Sequence, residues 1–124
     1  MEKKRIYIAG PMTGYPNFNY PTFNAVAKYF CSHDFEVFNP AATELSQKLD
    51  GEVKISNEQY RACLKEDLSW ICESATDIAM IPGWENSKGA TAEWSLAKAL
   101  GLNIRYLTKD KLANIMEWYD EDTI

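Results

Sequence analysis

The chain has little of what several common kinds of functional site require. Its 124 residues include one histidine, His33, and three cysteines that form no C-x-x-C pair. The chain therefore has few residues from which to build a Ser-His-Asp triad, a site with several histidine ligands, a thiolate zinc site or a disulfide framework. We expect a site without metal or cofactor, and cysteines that are structural thiols in a reducing compartment.

Long hydrophobic runs and an excess of basic residues are also absent. The first apolar stretch ends at Gly10, which makes it too short for a secretion signal or a membrane span. A formal net charge of -5 and a pI near 4.9 argue against binding along a nucleic-acid backbone. We therefore expect a soluble, cytoplasmic protein that binds neither nucleic acid nor a membrane, although a local site for a small anion stays open.

Strand and helix patterns alternate along the chain. Buried-strand patterns cover residues 5–9, 36–39, 77–81 and 103–107. Helical spacing and capping signals cover residues 23–30, about 41–49, a longer stretch that starts after Ser56, about 89–100, and 112–119. This alternation predicts a single α/β domain over residues 1–124, with a doubly wound parallel sheet of the Rossmann or flavodoxin type. Ligands of such sheets bind outside the carboxyl ends of the strands.

Two acidic residues fall on helix faces where apolar residues are expected. Asp67 lies three residues after Leu64 and four before Ile71, within the apolar stripe of its helix. Glu93 lies three residues before Leu96, on the buried face of the next helix. A buried carboxylate without partners is costly, so inward acids are candidates for a functional site, although each could also be a hydrogen-bonded structural residue.

The two acids are expected to differ in ionisation. Glu93 is predicted in the first turn of its helix, where the positive end of the helix dipole favours the carboxylate. Asp67 is predicted in mid-helix among apolar residues, where desolvation favours the protonated acid. We hypothesise that Glu93 is a nucleophile and Asp67 a general acid, as in retaining glycosidases, and cleavage of a base from a sugar needs the same two tasks.

Two loops that contain glycine could bring the backbone close to a ligand. The segment Ser87–Thr91 leads into the helix of Glu93, and free amides at a helix N-terminus bind anions such as a 5'-phosphate. Alternatively, Ser87 is only a helix cap and Gly89 only serves the turn. The segment Gly10–Gly14 after the first strand lacks a complete G-x-G-x-x-G or P-loop pattern.

Two aromatic residues near strand ends are further candidates. Tyr7 stands two residues before the end of the first strand, where it could reach the site or belong to the core. Trp84, in the loop after the third strand, could stack on a base, cover the edge of the core or make a subunit contact.

Four segments together resemble the nucleoside 2-deoxyribosyltransferase superfamily. They are Tyr7–Met12 (YIAGPM), Asp67–Trp70 (DLSW), Asp77–Pro82 (DIAMIP) and Ser87–Glu93 (SKGATAE), in the order that the family has, and the resemblance covers about the first 107 residues. Within the superfamily the spacing is most similar to 2'-deoxynucleoside 5'-monophosphate N-glycosidases and to deoxyribosyltransferase-like phage and bacterial proteins of unknown function.

The resemblance implies that Glu93 is the nucleophile, Asp67 the general acid and base, and Tyr7 an orienting group for the nucleophile. It also implies that Ser87 binds the phosphate. The residues that would line the pocket are Gly10, Pro11, Met12 and Gly89.

This chain departs from the resembled enzymes at two positions. The N-glycosidases have an arginine in the loop after the first strand, whereas this chain has Met12, Thr13 and Gly14 there. The transferases carry an acid six residues before the nucleophile, where this chain has Ser87, and this difference favours a nucleotide over a free nucleoside.

The expected activity is cleavage of the N-glycosidic bond of a (deoxy)nucleoside 5'-monophosphate through a covalent glycosyl-Glu93 intermediate, by hydrolysis or by transfer to a second base. One alternative is a catalytically silent nucleotide-binding module that acts as a sensor or sequesters its ligand. Another is an NAD-type glycohydrolase, because the nicotinamide bond is also N-glycosidic. The resemblance further implies a homodimer or higher homo-oligomer, with Tyr119 and Asp120 near an interface.

Overall fold

A computed structural model describes residues 2–48 and 55–120 and contains one parallel sheet. The strands are β1 (Arg5–Ala9), β2 (Glu36–Phe38), β3 (Asp77–Met80) and β4 (Asn103–Tyr106). Their order across the sheet is β2-β1-β3-β4, and all three pairings are parallel. The prediction of a parallel α/β sheet of the Rossmann or flavodoxin type is confirmed, and each predicted strand is present with an end within one residue of the predicted one.

Five helices accompany the sheet among the described residues. They are α1 (Tyr20–Ser32), α2 (Glu44–Lys48), α3 (Asn57–Glu73), α4 (Lys88–Leu100) and α5 (Lys109–Tyr119). The capping box predicted at Ser56 is present, because its hydroxyl accepts from the amide of Gln59 while the Gln59 side chain accepts from the amide of Ser56. None of the helices in the described parts of the chain is long and apolar enough to cross a membrane.

The helix predicted over residues 41–49 is shorter than expected. A 3-10 turn at Pro40–Ala42 precedes α2, which the structure describes only to Lys48. Proline at the start of this segment is compatible with a tight turn, since it fixes φ and needs no amide partner. The predicted helix end at Leu49, the break at residues 50–51 and the acidic residues 121–122 lie outside the described residues.

The alternation of side chains along β1 divides the core into two layers. Ile6 and Ile8 pack with α1 and α5 on one face of the sheet, whereas Tyr7 and Ala9 pack with α3 and α4 on the other. This alternation places Tyr7 on the side of the sheet where both candidate acids lie.

The strand order places a crevice at the carboxyl ends of β1 and β3. The chain passes from β1 to β2 on one side and returns to β3 on the other, which makes this the topological switch point of the sheet. Gly10 follows β1 there, and a Cβ atom at this position would lie 2.7 Å from the Cβ of Ile81. Glycine is therefore required at position 10 by the close packing of the two strand ends.

Candidate active site

A cavity of about 760 Å³ lies at the carboxyl ends of β1 and β3. Three parts of the chain supply much of its lining: the segment after β1, the segment that leads into α4, and one face of α3. The residues named in the sequence analysis that line it are Tyr7, Gly10, Pro11, Met12, Asp67, Ser87, Gly89 and Glu93. The fold thus gathers eight of the nine candidate residues around one cavity.

Glu93 and Tyr7 meet at the inner end of this site. Both side chains are nearly inaccessible, with 6% and 1% of their surface exposed, and the Tyr7 hydroxyl donates a hydrogen bond of 2.7 Å to Oε2 of Glu93. The Tyr7 ring also stacks on Phe38 in the core, with ring centroids 5.5 Å apart. The two interpretations of Tyr7 are therefore both true: its ring belongs to the core and its hydroxyl belongs to the site.

Asp67 faces the cavity from α3. Tyr60, Cys63, Leu64 and Asp67 follow one another at helical spacing and all line the cavity. Burial raises the pKa of Asp67 to about 7, and the charge of Glu66 adds to this rise while hydrogen bonding with Tyr7 opposes it. The predicted desolvation of Asp67 is confirmed, so a large fraction of this carboxyl group is protonated near neutral pH.

The predicted environment of Glu93 is wrong. Helix α4 begins at Lys88, so Glu93 is its sixth residue and lies in the second turn, beyond the end of the helix where the dipole acts most strongly. Burial raises the pKa of Glu93 well above its ordinary value, and the negative charge of Asp67 raises it further, while the hydrogen bond from Tyr7 works in the opposite direction. Desolvation is therefore the largest cause of the raised pKa of both acids.

Two carboxyl groups in one cavity, where the charge of Asp67 raises the pKa of Glu93, cannot both ionise easily. Such a pair retains one proton over a range of pH, and its titration belongs to the pair rather than to either residue. Hydrogen bonding with Tyr7 favours the ionised form of both acids, and the bond of 2.7 Å from its hydroxyl goes to Glu93.

The start of α4 forms another part of the site. The Ser87 hydroxyl oxygen accepts a hydrogen bond of 3.2 Å from the amide of Ala90, so Ser87 is the N-cap of α4. Its hydroxyl hydrogen stays available to a ligand, because an oxygen that accepts can also donate. A Cβ atom at Gly89 would make only ordinary contact with Tyr60, at 3.5 Å from its hydroxyl oxygen, so packing does not require glycine there.

Trp84, which was predicted to stack on a base, lies outside the lining of the cavity. Its ring packs against Trp94 and Tyr106 at centroid distances of 5.1 and 6.1 Å. The 3-10 turn Trp84–Asn86 follows Gly83, whose φ of 96° sets the direction of this loop. Trp84 covers the edge of the core beside α4 and β4, which was one of its alternative roles.

Aromatic residues that the sequence did not single out for the site also line the cavity. Tyr60 belongs to the apolar stripe of α3. Its position seven residues before Asp67 could have indicated from the sequence that the two side chains share a face of the helix. Tyr15 and Phe18 come from the irregular segment after β1, which has no periodicity from which their direction could be predicted.

Asp77, the acid at the start of one resembled segment, lies away from the cavity. It begins β3 at the amino end of the sheet, is fully buried, and pairs with Arg105 at 2.8 Å between Oδ2 and Nε. The hydroxyl of Thr76 donates to its other carboxylate oxygen at 2.7 Å. Asp77 is therefore a structural residue.

The described residues of the site include two carboxyl groups, Asp67 and Glu93, and the N-terminus of α4. Across residues 2–48 and 55–120, His, Cys, Asp and Glu side chains form no group of three that could hold a metal ion. The arrangement can hold one carboxylate in position for attack while a second carboxyl group supplies a proton.

Comparison with known proteins gives a family without an assigned activity. No curated protein matches this chain significantly. Residues 4–106 match the sequence model of a domain of unknown function, DUF4406, and this span includes all four strands, α1 to α4 and every candidate residue described above. The chain belongs to the DUF4406 family.

Proposed function

We propose that this protein cleaves the N-glycosidic bond of a (deoxy)nucleoside 5'-monophosphate, with Glu93 as nucleophile. The observation that carries the proposal is the buried Glu93 carboxyl group, held by the Tyr7 hydroxyl at 2.7 Å in a cavity that Asp67 also lines. One carboxylate for attack and one protonated carboxyl group for the leaving group are what a retaining glycosidic reaction needs. The resemblance to nucleoside 2-deoxyribosyltransferases supports the same chemistry.

In the first step Glu93 attacks the anomeric carbon of the sugar with its second oxygen, since Oε2 is held by Tyr7. The carbon–nitrogen bond breaks, its electron pair goes to the base nitrogen, and Asp67 supplies a proton to the departing base. The glycosyl group is then an ester of Glu93. In the second step Asp67 accepts the proton of a water molecule that attacks the ester, or of a second base in a transfer reaction, which restores both acids.

The spacing along α4 supports a phosphorylated sugar. Gly89 stands one helical turn before Glu93, a rise of roughly 6 Å. This distance is comparable with the span from the anomeric carbon to the 5'-phosphate of a nucleotide. A sugar with its anomeric carbon at Glu93 would place its phosphate near the Ser87 hydroxyl and the first amides of α4.

The charges of the lining support a single phosphate group. Lys88 is the only basic residue among the described residues that line the cavity, and it is exposed at the start of α4. The helix N-terminus and one lysine can balance a monophosphate, whereas a longer phosphate chain would meet two buried acids without further cations.

Association of two copies is part of the proposal, because the resembled enzymes are dimers or larger assemblies. Trp118 on α5 is 76% exposed, beside Tyr119. A large exposed aromatic side chain at this end of α5 fits a subunit contact. Sedimentation velocity measures the oligomeric state, and a monomer at all concentrations would contradict this part of the proposal.

The test is chromatographic detection of free base after incubation with ribo- and deoxyribonucleoside monophosphates, free nucleosides and NAD. We expect release from monophosphates by the wild type and by a control variant at an exposed acid, Glu117→Gln. Glu93→Gln should lose at least about a thousandfold in rate, as removal of a covalent nucleophile does. Mass spectrometry of the wild-type protein, after the covalent intermediate has been trapped, should find a glycosyl adduct on Glu93.

Other outcomes of the same experiment assign other functions. Nicotinamide release from NAD alone would identify an NAD-type glycohydrolase. Thermal stabilisation by nucleotides without release of base would identify a binding module. Equal release by the wild type and Glu93→Gln would contradict the covalent mechanism.

A further inference from the structure

One wall of the cavity carries no charge. We call residues 10–19, which follow β1, the β1 arm. No charged residue stands between Arg5 and Lys28 in the sequence. The side chains that the β1 arm contributes to the lining are those of Pro11, Met12, Thr13, Tyr15 and Phe18. Among the described residues, the acids that line the cavity are Asp67 of α3 and Glu93 of α4. The β1 arm therefore offers a ligand a largely apolar and aromatic surface.

The end of the β1 arm has an unusual backbone. Asn17, Phe18 and Asn19 have φ angles of 53°, 53° and 63°, in the left-handed region. Asparagine enters this region more readily than most residues, whereas a bulky residue such as phenylalanine rarely does. Strained backbone of this kind persists where its surroundings impose it, and it is concentrated at ligand sites and active sites.

Contacts within the arm and with Tyr20 of α1 hold Phe18 in this conformation. The Asn19 side-chain amide donates to the carbonyl oxygen of Pro11 at 2.9 Å, which ties the end of the arm to its beginning. The Phe18 amide donates to the carbonyl oxygen of Tyr15 at 3.0 Å, and the Phe18 ring lies 5.8 Å from that of Tyr20. The ring is partly buried against the core and also lines the cavity.

We propose that Phe18 is the base-recognition residue, whose ring stacks on the uncharged purine or pyrimidine of the nucleotide. The inference rests on the proposed function for the class of ligand. A base attached to a sugar at Glu93 must extend into the same cavity that Phe18 lines, and a planar ring offers it a stacking surface without a hydrogen-bonding pattern. Because the β1 arm positions the ring before the ligand arrives, binding does not have to order it.

The test separates the base from the sugar phosphate. In the Glu93→Gln background, calorimetry measures binding of nucleoside 5'-monophosphates and of 2-deoxyribose 5-phosphate, which lacks a base. We expect Phe18→Ala to weaken nucleotide binding about tenfold, the usual loss for a base–aromatic stack, and to change sugar-phosphate binding less than about twofold. Phe18→Trp should restore nucleotide binding.

Phe35→Ala is the matched control. Phe35 packs against the same core cluster and contacts Phe30 at a centroid distance of 5.2 Å, but it does not line the cavity. It should lower the melting temperature at least as much as Phe18→Ala while leaving nucleotide binding unchanged.

The outcomes distinguish this inference from the proposed function. Equal weakening of both ligands by Phe18→Ala, no weakening of either, or no binding of any nucleotide overturns the role of Phe18. If the selective loss occurs but the wild type releases no base, the role of Phe18 stands and the proposed catalysis fails. If the wild type releases base and Phe18→Ala has an unchanged KM for every nucleotide, catalysis stands and the role of Phe18 fails.

Discussion

The protonation of Asp67 predicts how the activity depends on pH. Burial raises its pKa to about 7, and the proposed mechanism needs its protonated form in the first step. The protonated fraction of Asp67 falls as the pH rises, so kcat/KM for a nucleoside monophosphate should fall on the alkaline side, by about tenfold per pH unit above the higher apparent pKa of the pair. A pH profile of base release measures this limb.

Asp67→Asn provides the check on that assignment. The amide keeps the shape of the side chain but supplies no proton, so we expect the rate to fall by about a hundredfold or more and the alkaline limb to disappear. A variant that retains the alkaline limb would show that another group is responsible for it.

Ser87 combines two roles that one substitution can separate. Aspartate caps helices about as well as serine, so Ser87→Asp should change the melting temperature little. Its negative charge would oppose a 5'-phosphate at the same position. We expect KM for nucleoside monophosphates to rise about tenfold or more, while free nucleosides, which have no phosphate, lose less. An equal loss for both kinds of substrate would exclude a phosphate at this position.

At the level of helices and strands, the parts that the sequence could predict are those set by local chemistry. The capping box at Ser56 and the end of α4 at Gly101, with its φ of 71°, depend on residues a few positions apart. The phase of α4 predicted that Glu93 is buried. Its pKa could not be predicted, because burial beside Asp67 depends on how α3 and α4 pack.

The β1 arm shows why part of the site could not be predicted. Its sequence has turn-forming residues but no period, so nothing in it gives the direction of the Phe18 ring. The strand pattern over residues 5–9 was predicted as buried, but only the packing of α4 determines that Tyr7, and not Ile8, meets Glu93.

The pair of Asp77 and Arg105 joins β3 to β4 at the end of the sheet away from the cavity. Asp77 is fully buried, so Arg105→Leu would leave a buried charge without its cation. We expect a loss of roughly 3 kcal/mol in the free energy of unfolding, measured by urea denaturation, and unchanged base release per folded molecule. A loss of activity without loss of stability would contradict the structural role of this pair.

Lys3→Leu is the comparison variant for that experiment. Lys3 and Asp34 are 3.8 Å apart and their side chains are 53% and 93% exposed. Water screens such a pair, so its removal should cost under about 1 kcal/mol.

Across the whole molecule, the raised pKa values of Asp67 and Glu93 make stability depend on pH. A carboxyl group with a raised pKa holds its proton in the folded protein at a pH where the unfolded chain has already lost it. For Asp67 the stabilisation is therefore complete below its ordinary pKa of 3.8 and is lost as the pH rises to about 7. The raised pKa of Glu93 acts in the same direction.

Removal of either charge should stabilise the protein at alkaline pH. We expect Asp67→Asn and Glu93→Gln each to raise the free energy of unfolding at pH 8 by about 1–2 kcal/mol relative to the wild type, with a smaller gain at pH 5. Denaturation at the two pH values, with Glu117→Gln as control, measures the difference. A gain that is equal at both pH values would show that ionisation is not its cause.

The bond between Tyr7 and Glu93 joins residues 86 positions apart in the chain. Neither the first strand alone nor the fourth helix alone can form it, and Asp67 comes from a third element between them. The proposed turnover would therefore require the sheet together with α3 and α4, the two helices that cover this face. Once base release is established, folding could be followed by diluting the denatured protein into buffer that contains substrate. The increase in the rate of base release with time would then measure the formation of the native fold.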